Sequence, residues 1–476
     1  MAAKVLCCVF VALFCVSARA DASTYSVPEP TIQVFQPKGF RASIPDATDV
    51  VYFLIQGQLV KNDTSTKLDF HGGETGSPVE INGQKLWVVD LPDFQLEKGD
   101  RIEYLAFVAI KSDGYIRDNL VYTVNEFATF TPLPERLVYP QYPEVDSTTP
   151  KACEPSVTRL QKGGIVCKGQ VVFEENFDTL NKDVWLVEHY IPTEHPEVPF
   201  VSYQASAVSV QNGELHITAS EQFIITGYLL YTNLDLSTGC TSGKSDECSV
   251  DQTEQSGRAV PPVISGRITS KLGFVFKYGT VSVRAKFPKG DWIYPEILLE
   301  PFLKNFGINS RNTGILKIAS ARGNANLNKK LYGGPVLDSR CHDALLVTKP
   351  ESETAWSNDF HVYSAKWTPA SLVLSVDGEV YATVEPAANG LRDKLPETCS
   401  GVRARGIAPF NEFFYLTLGV AVGGDAEFHD SNDSNSPKPW RNGQVNAASN
   451  FWKNRSWKAT WTQPELVVDY VKVEAL

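Results

Sequence analysis

The hydrophobic positions at the start of the chain fall into short runs that end at Gly, Pro, Asn and Asp. β-Branched and aromatic residues dominate these runs, and turn sequences such as EKGD and SDG separate them. This pattern predicts a small immunoglobulin-like β-sandwich of about 100 residues. The runs that carry the prediction are TIQVF (31–35), VVYFLI (50–55), KLWVVDL (85–91) and RIEYLAFVAI (101–110).

The same pattern continues over more than 300 residues in the second part of the chain, and runs with the helical period are nearly absent. A strand roughly every ten residues over such a length predicts a large sandwich of two sheets. The fold class is therefore all-β. The runs include ELHITA (214–219), GTVSVRAKF (279–287), FHVYSAKW (360–367), LVLSVDGEVY (372–381), FFYLTLGVAV (413–422) and LVVDYVKVEA (466–475).

A proline-rich segment, residues 128–150, separates the two regions. Proline removes a backbone donor and favours extended backbone, so the segment is predicted to be a semi-rigid linker. The predicted domains are a first module over 21–127 and a second domain over 151–476.

The first twenty residues, MAAKVLCCVFVALFCVSARA, combine Lys4, an apolar run and the exit Ala18-Arg19-Ala20. These features predict a secretory signal peptide over residues 1–20, with cleavage before Asp21. The alternative is a membrane anchor, but the run is too short to cross a bilayer comfortably. No later stretch has the composition of a transmembrane helix, so the protein is predicted to be secreted.

Six cysteines follow the predicted signal peptide, and an even number in an exported chain favours disulfides. Fifteen pairings are possible, and proximity along the chain favours Cys240–Cys248 and Cys153–Cys167. The remaining two are Cys341 and Cys399. No CxxC pair or His-rich spacing is present, so neither a metal site nor a cofactor is predicted. Glycosylation sequons begin at Asn62, Asn432 and Asn454.

Charge narrows the range of partners. The chain has 44 Lys and Arg against 55 Asp and Glu, a net charge of −11. An acidic protein is a poor candidate for binding nucleic acid or anionic lipid and a better one for neutral ligands.

Five segments in the second region resemble segments of family-16 glycoside hydrolases, the β-glucanases and laminarinases. They also occur in the same order as in that family. That resemblance implies a concanavalin-like jelly roll. The segments are 171–185, 276–292, 359–378, 413–424 and 451–473. Together with the first region, the chain resembles insect-type β-1,3-glucan recognition proteins, also called Gram-negative-bacteria-binding proteins. The first region matches through Val27-Pro28, PKGFRASIPD (37–46), Asn82-Gly83 with Trp87, and Lys98-Gly99-Asp100.

The stretch TGILKIASARGN (313–324) aligns with the catalytic strand of active relatives, which reads G-E-I-D-I-x-E. Retaining cleavage needs two carboxyl groups about 5–5.5 Å apart. In the strand of the active relatives, a one-residue bulge would place both groups on the same face. The three acidic positions of the family are held by Ile315, Lys317 and Ser320. No catalytic residue is therefore predicted, and the domain is expected to be an inactive homologue.

Glu296 and Glu300 lie close by, in WIYPEILLEP. Four residues along a strand span about 13 Å, too far for either mechanism of glycoside hydrolysis. These acids are predicted to neutralise Lys317 or to line a more polar cleft. A nucleophile and an acid from different strands remain the alternative.

The resemblance also implies a residual sugar cleft that contains Trp292, Tyr294, Arg284 and His361. Two of these residues have structural alternatives, since Arg284 can pair with a core acid and His361 can serve as a structural hydrogen-bonding group. Three further tryptophans, Trp185, Trp367 and Trp457, are predicted to be core residues.

In the first region, the resemblance places Asp46, Trp87 and Asp90 at positions of glucan contact. The sequence departs from the family there: the usual tryptophan is missing from Tyr104-Leu105-Ala106, and two extra residues precede Trp87. An ordinary core position for Trp87 stays an equal alternative.

These observations predict a secreted innate-immune pattern-recognition protein. Its predicted ligand is β-1,3-glucan, with bacterial wall polysaccharide as a further class. The predicted protein partner is a serine-protease zymogen or another immune signalling protein, and self-association on polysaccharide is a further expectation. Two alternatives stay open: an active β-1,3-glucanase with relocated acids, and an immune scaffold that binds no sugar.

Overall fold

The computed structural model describes most of the chain in two compact units. One unit comprises Met1–Glu74 with Val79–Glu135, and the other comprises Thr75–Pro78 with Arg136–Leu476. The described residues are 25–62, 67–74, 78–92, 94–110, 113–131, 133, 153–161, 165–193, 198–222, 233–242, 244–250, 260–302, 314–338, 341–399, 405–431 and 434–476. The predicted signal peptide, most of the predicted linker and Asn432 lie outside these ranges.

The first unit consists of two antiparallel sheets of four strands each. Their strand orders are β1-β2-β6-β5 and β4-β3-β7-β8. The immunoglobulin-like connectivity stays a prediction. The described strands are β1 (Thr31–Val34), β2 (Phe40–Pro45), β3 (Val50–Val60), β4 (Lys67–Glu74), β5 (Val79–Ile81), β6 (Gln84–Leu91), β7 (Arg101–Ile110) and β8 (Asp113–Thr123).

Strand β2 shows why this region forms a two-sheet unit. Phe40, Ala42 and Ile44 belong to the core cluster, whereas Arg41 and Ser43 alternate with them and face away from it. Because successive strand residues point to opposite faces, the apolar positions of β2 meet those of the second sheet. Phe53 and Ile55 on β3 lie in the same cluster.

The second unit is dominated by two large antiparallel sheets, of eight and nine strands. Their main paths are β13-β14-β30-β21-β26-β27-β28 and β11-β19-β29-β22-β23-β24-β25. The described strands are β9 (Arg159–Leu160), β10 (Val171–Glu175), β11 (Leu186–Val187), β12 (Val201–Tyr203), β13 (Val208–Gln211), β14 (Glu214–Thr218), β15 (Ser220–Glu221), β16 (Leu234–Asp235), β17 (Ser249–Val250), β18 (Val263–Ser265), β19 (Arg267–Thr269), β20 (Val275–Lys277), β21 (Gly279–Lys286), β22 (Ile293–Pro301), β23 (Ile315–Ser320), β24 (Tyr332–Val336), β25 (Val347–Thr348), β26 (His361–Trp367), β27 (Leu372–Val376), β28 (Glu379–Val384), β29 (Phe414–Val422) and β30 (Glu465–Glu474).

Helices are short in the described part of the chain: α1 (Ser245–Cys248), α2 (Ala447–Lys453) and 3-10 turns at Ala205–Ala207, Leu391–Lys394 and Arg455–Thr460. None of them has the length and apolar character needed to cross a bilayer. The all-β prediction is therefore confirmed.

One hydrophobic core joins the two large sheets. It takes Val281 and Val283 from β21 in one sheet, and Ile297 and Leu299 from β22 in the other. Three tryptophans predicted to be core residues, Trp185, Trp367 and Trp457, are each 1% exposed.

All six cysteines after residue 150 form disulfides, with the pairs Cys153–Cys167, Cys240–Cys248 and Cys341–Cys399. The first two join the neighbours that the sequence favoured. The third spans 58 residues, and closing a loop of that length stabilises the fold by about 4 kcal/mol through the unfolded chain.

Two of the three sequon asparagines, Asn62 and Asn454, are exposed. The side-chain oxygen of Asn454 accepts hydrogen bonds from the backbone N–H of Ser456 and, at 2.7 Å, from its hydroxyl. Modification of these sites stays a prediction.

Candidate functional sites

Strand β23 carries Ile315, Lys317 and Ser320, the three residues that the sequence resemblance aligns with acidic positions of family-16 enzymes. Its register against β24 shifts between Lys317 and Ser320, and its register against β22 shifts at the same place. The bulge predicted from the sequence is therefore present. It brings Ile315, Lys317 and Ser320 to one face of the sheet.

Two of these three side chains are fully packed. Ile315 is 1% exposed and lies in an apolar cluster with Leu298 and Val336. The hydroxyl of Ser320 is buried and donates to the backbone oxygen of Pro295 at 3.2 Å. Neither group is available to a ligand.

Lys317 forms a buried ion pair with Glu427, at 2.8 Å between Nζ and Oε2. Arg322 donates from Nε to the second carboxylate oxygen at 3.1 Å, and the hydroxyl of Tyr332 donates to that same oxygen. The prediction that Glu296 and Glu300 neutralise Lys317 is thus wrong. Glu427 was missed because it lies 110 residues further along the chain, in a loop after β29.

The carboxyl group of Glu427 is held in its ionised form. Burial alone raises its pKa, but the positive charges of Lys317 and Arg322 outweigh burial, so the pKa is lowered. The residue is 0% exposed. A buried, paired carboxylate can neither protonate a glycosidic oxygen nor attack a sugar carbon.

Glu296 and Glu300 lie in a second buried charge cluster, centred on Arg267 of β19. The guanidinium is 2.5 Å from Glu300, 3.4 Å from Glu296 and 2.5 Å from Glu188. Glu296 also accepts a hydrogen bond from the hydroxyl of Tyr203 at 2.8 Å. Because both glutamates are 7% exposed or less, the alternative that they line a remodelled, more polar cleft is also wrong.

Gly419 of β29 makes room for this cluster. A Cβ atom on that residue would lie 2.7 Å from the Glu296 carboxylate and 3.1 Å from the Arg267 side chain. Packing at this glycine therefore helps to fix the position of the buried charges.

The predicted residual cleft is not assembled. Trp292 and Tyr294 are each 1% exposed, and the Trp292 ring packs edge-on against Phe428 and Trp440. Trp292 directly precedes β22 of the nine-stranded sheet and Tyr294 lies on that strand. Arg284 and His361 lie on β21 and β26 of the other large sheet.

Both polar residues of that predicted cleft have structural partners, although the acid that pairs with Arg284 lies at the surface and not in the core. Arg284 pairs with Asp469 and lies over the ring of Phe360. His361 is hydrogen-bonded through Nδ1 to Asp377 at 2.7 Å. The prediction of a residual cleft is therefore wrong. Trp292 and Tyr294 are buried, and Arg284 and His361 belong to two separate pairs at the surface.

A pocket of about 160 Å³ lies beside the Lys317–Glu427 pair. Asp343 at this pocket accepts hydrogen bonds from His342 at 2.5 Å and His429 at 2.6 Å. Burial alone raises the pKa of Asp343, but these two hydrogen bonds together with the charges of His342 and Arg322 outweigh burial, so the pKa is lowered. The lining residues are Arg322, Leu327, Lys330, Tyr332, Asp343, Leu346 and Thr348.

In the first unit, the predicted contact residues form two separate pairs. The indole of Trp87 is in the core and 2% exposed, and its N–H donates to Asp46 at 2.8 Å. Asp90 forms a two-point ion pair with Arg41 on the opposite face of β6. A contact role for Trp87 is corrected to a core role, because its ring presents no face to solvent.

Comparisons with known proteins agree with the two-unit organisation. The family model "Carbohydrate binding domain (family 32)" matches residues 26–145, and the model "Glycosyl hydrolases family 16" matches residues 337–408. A β-1,3-glucan-binding protein of Hyphantria cunea is 43% identical, over 95% of this chain and 96% of its own. The chain belongs to the β-1,3-glucan-binding protein family.

Further members of this family show its range. β-1,3-Glucan-binding protein 1 of Galleria mellonella is 34% identical and Gram-negative bacteria-binding protein 1 of Drosophila melanogaster is 31% identical, each over 95% of this chain and 96% of its own. The resemblance stated from the sequence is confirmed. Among solved structures, the laminarinase catalytic domain from Thermotoga petrophila is 21% identical with a TM-score of 0.43, over 64% of this chain and 98% of that chain.

In the described part of this β-1,3-glucan-binding protein family member, we find no metal-site candidate. Such a site would need at least three His, Cys, Asp or Glu side chains placed to hold one ion. The buried carboxylates of Glu188, Glu296, Glu300 and Glu427 lie within 4 Å of Arg or Lys side chains. Strands β19, β22 and β23 of the nine-stranded sheet contribute Arg267, Glu296, Glu300 and Lys317 to these buried ion pairs.

Proposed function

We propose that this protein recognises microbial polysaccharide without cleaving it, and that its principal ligand is β-1,3-glucan. The observation that carries the proposal is the set of full-length relatives named β-1,3-glucan-binding and Gram-negative bacteria-binding proteins. The carbohydrate-binding family match over residues 26–145 supports a role of the first unit in binding.

The second unit is proposed to be catalytically inactive. Its catalytic strand carries Ile315, Lys317 and Ser320, none of which can supply the nucleophile and the proton donor that retaining hydrolysis needs. The nearby acid, Glu427, is fully buried and paired with Lys317 and Arg322.

Secretion is part of the proposal. Disulfides persist in oxidising compartments, and the three pairs in the second unit fit an extracellular protein. A serine-protease zymogen as downstream partner, and self-association on polysaccharide, are proposed from the family resemblance.

Curdlan pull-down tests the ligand. The full-length protein is expected to sediment with insoluble curdlan, a β-1,3-glucan, and to be released by soluble laminarin. Cellulose, a β-1,4-glucan of similar insolubility, is the matched control and should leave the protein in the supernatant. Absence of protein from the curdlan pellet would reject the ligand and favour a scaffold role.

Incubation with laminarin tests the absence of catalysis. The protein is expected to release no reducing sugar above a buffer blank, because losing the activated groups removes several orders of magnitude in rate. An active laminarinase serves as the positive control. Turnover that survives purification and is abolished by Glu427→Gln, in a variant that still melts cooperatively, would establish a relocated catalytic acid.

A further inference from the structure

The first unit carries a polar row on the outer face of its β1-β2-β6-β5 sheet. Gln33, Arg41 and Asp90 lie side by side on three neighbouring strands, since Gln33 pairs with Arg41 and Arg41 pairs with Asp90. Their neighbours Ala42 and Val89 face the core. The row is thus separate from the buried Trp87 and its partner Asp46.

Arg41 is the centre of this row and is itself 4% exposed. Its guanidinium donates from Nε to Asp90 Oδ1 at 2.6 Å and from Nη2 to Asp90 Oδ2 at 2.9 Å. Nη2 also donates to the backbone oxygen of Thr131 at 3.2 Å. The same nitrogen therefore holds the Asp90 carboxylate and the segment that contains Phe130 close together.

Two aromatic rings lie near this guanidinium. Its central carbon is 5.4 Å from the ring centre of Phe35 and 5.8 Å from that of Phe130. The two rings also meet edge-to-face, with centres 5.2 Å apart and planes at 90°. Phe35 is buried, whereas Phe130 is 56% exposed.

A single exposed phenylalanine needs no special explanation on a protein surface. Phe130 differs from that ordinary case in two ways. Its ring is fixed by Phe35 and Arg41, so a ligand that stacks on it loses little side-chain entropy. Beside it, the Asp90 carboxylate has a fixed orientation and is 33% exposed.

A fixed aromatic ring next to a fixed carboxylate matches the chemistry of a pyranose sugar. The electron-rich ring face attracts the C–H groups on the apolar side of the sugar, and an ionised carboxylate accepts hydrogen bonds from its hydroxyl groups. Gln33, exposed in the same row, adds an amide donor and acceptor.

The geometry points to a sugar-contact site formed by Phe130 and Asp90, with Arg41 as the positioning residue of both. Its ligand is a hexopyranose unit of a neutral polysaccharide. This inference rests on the proposed glucan binding and names the surface that performs it, with Phe130 in place of Trp87 as the aromatic contact.

Laminarin affinity of full-length variants tests this site. Phe130→Ala is expected to weaken laminarin binding by about tenfold or more, whereas Phe130→Tyr keeps a flat ring and should bind as the unchanged protein does. Val121→Ala removes a comparably exposed apolar side chain, 59% exposed on β8, and is expected to change nothing.

The positioning role of Arg41 has its own measurement. Arg41→Lys keeps the charge but loses the two-point contact with Asp90, so laminarin binding should weaken. The double variant Phe130→Ala with Arg41→Lys tests whether Arg41 acts through Phe130 and Asp90. If it does, the loss of laminarin affinity in the double variant is far smaller than the sum of the losses in the two single variants. Full additivity would assign Arg41 no positioning role.

The outcomes separate the site from the function. If the unchanged protein fails to bind laminarin and curdlan, the proposed function is wrong. If it binds and folded Phe130→Ala binds equally well, the function stands and the Phe130–Asp90 site is rejected. Thermal unfolding of each variant shows whether a loss of binding reflects a loss of folding.

Discussion

Replacing Arg267 with methionine is expected to prevent the second unit from folding at neutral pH. Arg267 is 3% exposed and is the shared partner of Glu188, Glu296 and Glu300. Its removal leaves buried carboxylates without their main positive partner. Breaking one buried pair in this way costs about 3–5 kcal/mol, so a shared partner brings the loss close to the whole stability of a typical domain.

Arg267 stays charged in the folded protein. Burial alone lowers its pKa, but the surrounding glutamates outweigh burial and the pKa is raised. The cluster therefore cannot relax by losing the arginine proton. Replacing the residue removes a permanent charge rather than one that titrates.

Two variants make this expectation measurable when Arg267→Met yields no folded protein. Arg267→Lys keeps the charge but not the planar fork, and should fold with a clearly lowered melting temperature. Lys271→Met is the control, because Lys271 is 27% exposed and only 3.9 Å from Glu188, so its loss should cost less than about 1 kcal/mol. Calorimetry that finds Arg267→Met as stable as Lys271→Met would contradict the structural role of the cluster.

The second large effect is expected at Lys317. Lys317→Met should destabilise the second unit by about 3 kcal/mol, because Glu427 keeps Arg322 and Tyr332 but loses its buried lysine. Adding Glu427→Gln to Lys317→Met removes the uncompensated charge. The double variant should therefore be more stable than the sum of the single changes predicts.

Lys330→Met is the matched control for Lys317→Met. Lys330 lies at the neighbouring pocket and makes no ion pair with the residues that the structure describes, so its loss should change stability by less than about 0.5 kcal/mol. Additive effects in the Lys317 and Glu427 cycle would show that the pair is not coupled.

The stability that Lys317 and Glu427 contribute together is expected to depend on pH in a definite direction. Because the folded-state pKa of Glu427 is lowered from 4.5, its contribution to stability is present above about pH 4.5 and disappears as the pH falls below it. The difference in stability between the unchanged protein and Lys317→Met should therefore shrink between pH 7 and pH 3. A difference that stays constant over this range would mean that Glu427 is not the partner that titrates.

The sequence predicted those features of the fold that depend on near neighbours. Strand positions follow from local alternation and turn residues, and two disulfides join cysteines 14 and 8 residues apart. The bulge in β23 also follows from local spacing, between Gly314 and the Arg322-Gly323-Asn324 turn.

The predictions that were wrong share one physical cause, because they concern strands and charges whose partners are distant in sequence. Trp87, Val88 and Val89 are three consecutive apolar residues, so a period of two cannot tell which side of β6 faces the core. Arg284 and His361 were grouped with Trp292 because family motifs give no distance between sheets.

The sequence by itself determined that positions 315, 317 and 320 carry no carboxylate, because side-chain identity is fixed at each place along the chain. Only the tertiary structure decided which groups surround those positions. Lys317 meets Glu427 across 110 residues, and Arg267 meets Glu188 across 79. Such pairs form because a charge removed from water needs a partner within a few ångströms, and only the folded sheets determine which charges come that close.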